Sequence, residues 1–76
     1  TVLPPAHLNL AASLNNLAMM HESKGDYGRA LPLYEEALAI NRAALPPGHS
    51  GIAYILDNIA GLHHRCGEYD RALPLY

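Results

Sequence analysis

The sequence predicts an all-α fold, a solenoid of antiparallel helical hairpins, and three observations lead there. Leu3-Pro4-Pro5-Ala6-His7 returns as Leu45-Pro46-Pro47-Gly48-His49, and laying residues 3–34 on 45–76, 42 positions on, pairs 17 identical residues in 32. Repetition at this spacing marks stacked units, none of which buries its apolar face alone. Within each copy the apolar residues recur with the period of one helix face, and Gly and Pro fall between the periodic stretches.

The first helix carries Leu10, Leu14, Leu17, Ala18 and His21 as one expected buried stripe, and the second copy repeats it with Ile52, Leu56, Ile59, Ala60 and His63. Gly25 and Gly67 follow as stop signals. After each stands an acid, Asp26 or Glu68, suited to the positive end of the next helix dipole, and Asp26 is also placed to cap that helix. The helix that follows reads Tyr27, Ala30, Leu31, Tyr34, Ala37, Leu38 and Leu45 in the complete copy. Pro32 and Pro74 lie inside it, where proline costs about 3 kcal/mol in a plain helix interior, and their recurrence predicts a tolerated bend. The Leu-Pro-Pro stretches at 3–5 and 45–47 cannot continue a helix and mark the joints. The expected organisation is a single region over 1–76, with repeat one at about 8–44, a loop at about 45–49 and repeat two at about 50–76. The second helix of repeat two is expected to be truncated, because Tyr34 runs on into Glu35-Glu36-Ala37-Leu38-Ala39-Ile40 while its match, Tyr76, is the last residue.

Composition narrows the function. Half of the 76 residues are hydrophobic and 16% are charged, which is globular composition, although a chain of this size is marginal for a core of its own. The formal charge of −2 offers no basic field for a phosphate backbone or an anionic membrane surface, so neither nucleic acid nor membrane is expected as a partner. Cys66 has no second cysteine to pair with and no signal-like or transmembrane run is present, so a cytoplasmic location is expected.

The spacings within each copy resemble those of the tetratricopeptide repeat, W-x2-L-G-x2-Y, then A-x3-F, then P. The first copy reads Leu14-x2-Leu17-Ala18-x2-His21, then Ala30-x3-Tyr34, then Pro46; the second reads Leu56-x2-Ile59-Ala60-x2-His63, then Ala72-x3-Tyr76. Departures fall at the Trp and Tyr positions. The usual unit has 34 residues, and the eight extra ones here fall at the end of the second helix and in the Pro-Pro-x-His loop. With Leu14-Asn15-Asn16-Leu17-Ala18, Pro32-Leu33-Tyr34 and Ala37-Leu38-Ala39-Ile40, this looks like the kinesin-light-chain-like subclass. The resemblance implies a right-handed superhelix, packed through small Ala18, Ala30 and Ala37, that acts as a protein-interaction scaffold.

With Leu14 at the centre of the stripe and about 100° per residue, Ala12, Asn16, Met19 and Ser23 lie on the far side of the first helix, with Asn15 and Glu22 at its edge. The second copy supplies Tyr54, Asp57, Asn58, His64 and Arg65, together with Gly61. In arrays that resemble this one the first helix of each hairpin lines the concave groove, which implies a surface for a partner peptide or helix. Asn16 and Asn58 are identical on an otherwise variable face, and an amide side chain both donates to and accepts from an extended backbone. They are read as a peptide-clamping ladder, against the plainer alternative of hydrogen bonding between helices. The carboxylate clamp of chaperone-tail-binding modules is not expected, because Ala12 and Tyr54 replace the lysine-like position and Arg65 alone is cationic.

No metal, cofactor or catalytic site is expected. His63 and Cys66 could share a ligand but do not complete a tetrahedral site. His21 and His63 are read as packing residues at the aromatic position of the pattern, and His7 and His49 as aids to the turn into the next helix. Ser13 and Ser50 lack a matched His and carboxylate, the stretch from Gly48 to Gly51 is no phosphate loop, and Glu35-Glu36 reads as a solvated face. Partners are therefore a protein or peptide and adjacent repeats, with self-association through open array ends. The rival readings are a docking or regulatory arm of a larger enzyme, a purely structural module, and an RNA-reading helical repeat, which the acidic balance opposes.

Overall fold

The computed structural model describes residues 5–72, with side chains over 7–67, and builds them into three helices: α1 (Pro5–Ser23), α2 (Tyr27–Ala44) and α3 (Ser50–Ala72). No strand occurs among the described residues. Pro5 takes the first helical position, where a missing N–H costs nothing, so α1 starts three residues before the expected boundary.

The α1–α2 turn closes through backbone chemistry. Gly25 adopts φ 79°, its N–H donates to the Glu22 carbonyl at 2.9 Å, and the Asp26 N–H donates to the His21 carbonyl at 2.8 Å. This pair of bonds is a Schellman motif, and it needs a residue that tolerates the left-handed region. Asp26 stands at the N-cap of α2, but its side chain makes no capping bond, which corrects the expectation. Its carboxylate turns outward instead, 3.4 Å from Arg29 Nε and 3.7 Å from His21 Nδ1.

The second joint has two parts. Leu45 is extended (φ −117°, ψ 151°), as a residue before proline must be, so it ends α2 rather than extending the helical pattern. Pro47 and Gly48, with φ 81° at Gly48 and a 3.1 Å bond from the His49 N–H to the Pro46 carbonyl, then form a type II turn. His49 next caps α3: its Nδ1 accepts the Gly51 N–H at 2.9 Å, so the expected aid to the turn is a side-chain cap. Pro32 lies exposed within a continuous α2.

Two small clusters make the core. Ala18, Ala30, Tyr34 and Leu62 form one, and Ala11, Ala37 and Ile55 the other. Alanine at these crossings lets helix axes approach closely. The descending pairs Ala11 with Ala37 and Ala18 with Ala30 set α1 and α2 antiparallel. The bonds from Asn58 to Asn15 and from Arg65 to Glu22 set α3 parallel to α1.

The buried stripes differ from the expected ones. On α1, Ala11, Asn15, Ala18 and Glu22 are buried, Leu14 and His21 are half-buried, and Leu10 and Leu17 are exposed at 50% and 42%. On α3, Ile52, Ile55 and Leu62 are buried and Ile59 is half-buried, while Leu56, Ala60 and His63 are exposed. Mapped onto one helical wheel, the two buried faces point about 150° apart. The physical reason is that α2 lies on opposite sides of its two neighbours. The stripe shared by both copies is the merger of these two faces, and each helix here has a partner on one of them.

Gly67 does not stop α3, which continues to Ala72. The turn at Gly25 is stabilised by Ala30, Tyr34 and Ala37 packing against α1, whereas a helix passes through Gly67 at the modest cost that glycine carries in a helix interior. Pro74 and Tyr76, expected in a second hairpin, lie outside the described residues.

Candidate functional site

α1 and α3 form the two walls of a groove whose floor is α2. The groove has two recesses. The first, of about 320 Å³, lies between Leu8 and Ala12 on one wall and Tyr54 and Ile55 on the other, with Asn41 and Leu45 beneath. The second, of about 350 Å³, is bounded by Met19, Glu22 and Ser23 opposite Asp57, Gly61 and Arg65. Between them Asn58 Nδ2 donates to Asn15 Oδ1 at 3.0 Å, and Tyr54 Oη stands 4.0 Å from Met19 Sδ.

Of the nominated residues, Ala12, Asn15, Asn16 and Tyr54 line the first recess and Met19, Glu22, Ser23, Asp57, Asn58 and Arg65 the second. His64 is exposed and lines neither.

Four of these side chains, Glu22, Arg65, Asn15 and Asn58, are committed within the fold. Glu22 is 9% exposed; its Oε1 accepts the Tyr34 hydroxyl at 2.7 Å and its Oε2 meets Arg65 Nη1 at 2.5 Å. One carboxylate thereby joins all three helices. Burial, with the adjacent Glu22 carboxylate accepting the hydroxyl's hydrogen bond, pushes the Tyr34 hydroxyl well above the ordinary tyrosine range. Asn15 is also buried, accepting from Asn58 and donating to Met19 Sδ at 3.6 Å.

Asn16 and Asn58 therefore differ despite their identity in the sequence. Asn58 is half-buried and engaged with Asn15, the plainer of the two readings, whereas Asn16 is exposed toward the first recess.

Asn41 is the residue that sequence reasoning missed. It is 8% exposed, and its Nδ2 donates to the Gly51 carbonyl at 3.2 Å, tying the end of α2 to the start of α3. The signal was present: Ala30, Tyr34, Ala37 and Asn41 form one stripe spaced 4, 3 and 4, so a polar residue falls in the buried face and requires a hydrogen bond.

Arg65 is spent on Glu22, so the groove contains no unpaired cationic clamp among the described residues. No group of three or more His, Cys, Asp or Glu among the described residues is placed to hold a metal ion. His63 is exposed and Cys66 half-buried. Among the described residues no helix is long and apolar enough to cross a membrane.

Hairpins of this geometry, packed through alanine and floored by a shared second helix, define an all-α solenoid fragment. Residues 9–76 match the family model of the tetratricopeptide repeat, and the chain belongs to that family. Tetratricopeptide repeats generally mediate protein–protein interaction and are typically non-catalytic. No curated protein and no solved structure gives a significant match.

Proposed function

We propose that this chain is an interaction scaffold that holds a partner peptide in the groove between α1 and α3. The observation that carries the reading is the open amide surface there: Asn16 is exposed beside a largely apolar recess, with Tyr54 facing it from the other wall. Amides supply donors and acceptors to an extended backbone, and the apolar walls take a side chain. The kinesin-light-chain-like subclass fits the long unit and the Leu-Asn-Asn-Leu-Ala run at 14–18, and the lone cysteine fits a reducing, cytoplasmic setting.

The test is a random-peptide display selection against the chain, with an enriched peptide titrated into isotopically labelled protein. Amide shifts should concentrate at Asn16, Tyr54 and their neighbours. Shifts centred on the outer face of α2, at Glu35, Glu36 and Ala39, would sink the reading.

A second reading, stacking on further units or on other copies, is favoured by the apolar faces at the two ends. Leu10, Leu17 and Met20 on α1 occupy the positions of Ile52, Ile59 and Leu62, which are covered on α3, and Leu56 on α3 occupies that of half-buried Leu14. Sedimentation over a concentration series should reveal reversible association; a monomer at every concentration with a cooperative melt at high temperature contradicts it.

A further inference from the structure

The two recesses differ chemically in a way that defines what a bound peptide must carry. In the first, Asn41 is more than nine-tenths buried, yet its Oδ1 accepts no hydrogen bond among the described residues, because its bond to Gly51 uses only the amide nitrogen. Among the described residues no fully enclosed side-chain nitrogen or oxygen lacks a partner, so this oxygen keeps access to solvent, and Asn41 lines the first recess. A buried acceptor beneath apolar walls suits a backbone N–H carried in beside an apolar side chain.

The second recess differs in charge. Glu22 and Arg65 neutralise one another, which leaves the exposed carboxylate of Asp57 as its net charge. A cation brought there finds the Asp57 carboxylate on the rim, unpaired among the described residues, and meets Arg65 only as one half of an ion pair. The recess centres, measured along α1 and α3, lie about 10–13 Å apart at about 1.5 Å per helical residue. An extended strand advances about 3.3 Å per residue, and alternate side chains share a face, so the two recesses are reached by residues four positions apart.

Resting on the groove reading above, we propose that the partner is an extended peptide with an apolar anchor seated over Asn41 and a lysine or arginine four positions away, against Asp57. The anchor supplies burial and the N–H that Asn41 accepts. The basic residue sets the register.

The probes are fluorescein-labelled nonapeptides, blocked at both ends, built of Thr and Ser with Leu and Lys four positions apart in either order. Binding to the full chain is followed by anisotropy, beside versions with Lys→Glu, Leu→Ser or the Lys moved two positions. One order should bind saturably, and the Lys→Glu version should bind about three- to ten-fold more weakly, the scale of an exposed ion pair lost and a repulsion gained. Asp57→Lys, at an exposed position, should reverse that preference while leaving the helical circular dichroism unchanged. Equal binding of the Lys and Glu probes, or an unchanged preference in Asp57→Lys, overturns the proposal. So does failure of both orders to bind when a display-selected peptide still binds this face, and that outcome leaves the groove reading standing.

Discussion

Arg65 on α3 reaches across the groove to Glu22 on α1, 2.5 Å from Nη1 to Oε2, and the same carboxylate accepts the Tyr34 hydroxyl from α2. The two ends of this link are unequally buried: the Arg65 side chain is 62% exposed and that of Glu22 only 8%. Losing the carboxylate strands a buried hydroxyl, whereas losing the guanidinium removes a solvated partner. Glu22→Ala should therefore cost about 1–3 kcal/mol, and Arg65→Ala less than about 1 kcal/mol, measured by urea denaturation followed at the helical circular dichroism band.

The Tyr34 hydroxyl, raised above its ordinary value by burial and by Glu22, predicts an alkaline limit. The folded state favours the protonated phenol, so this contribution is complete below the unfolded value of about 10 and is lost as pH rises above it. Stability should decline beyond about pH 10, and Tyr34→Phe, which cannot ionise, should flatten that part of the curve. An unchanged slope in Tyr34→Phe would rule the group out.

Asn58 and Asn16 separate by experiment as they do by environment. Asn58→Ala removes a bond between α3 and α1 and should cost about 1 kcal/mol, while Asn16→Ala, at an exposed site, should leave stability within about 0.5 kcal/mol. Peptide affinity should respond to Asn16→Ala despite its unchanged melt.

Glycines give a third contrast. A Cβ at Gly61 meets nothing within 4 Å, so Gly61→Ala should stabilise α3 by about 0.5–1 kcal/mol. A Cβ at Gly51 would lie 3.0 Å from Leu45 Cδ1 and 3.2 Å from His49 Nδ1, the atom that caps α3, so Gly51→Ala should gain less than Gly61→Ala or lose stability. Gly25→Ala, at φ 79°, should cost about 1–2 kcal/mol because a Cβ crowds the left-handed conformation. Thermal melts of the three variants side by side measure the order.

The joints were legible because they depend on nearest neighbours. Gly25 and the Pro46-Pro47-Gly48-His49 run act over a few residues, and a sequence states them directly. The groove face was legible for a similar reason: once Leu14 marks one side of a helix, about 100° per residue places Ala12, Asn16 and Met19 on the other. The helical period places Glu22 and Asn15 at the edge of that face, but both are buried, because their cover comes from α3, whose approach no local pattern records. Gly67 reads as a stop, but whether a helix turns back at a glycine depends on what packs after the turn.

Periodicity and turn chemistry are local properties, so the order of residues alone yields the helices, their joints and a polar face on the first helix of each copy. Only the tertiary structure decided which half of each apolar stripe is covered, that Asn58 is engaged while Asn16 is open, and that Asn41 floors the groove. Those outcomes depend on where α2 sits between its neighbours, a position set by burial summed over all three helices.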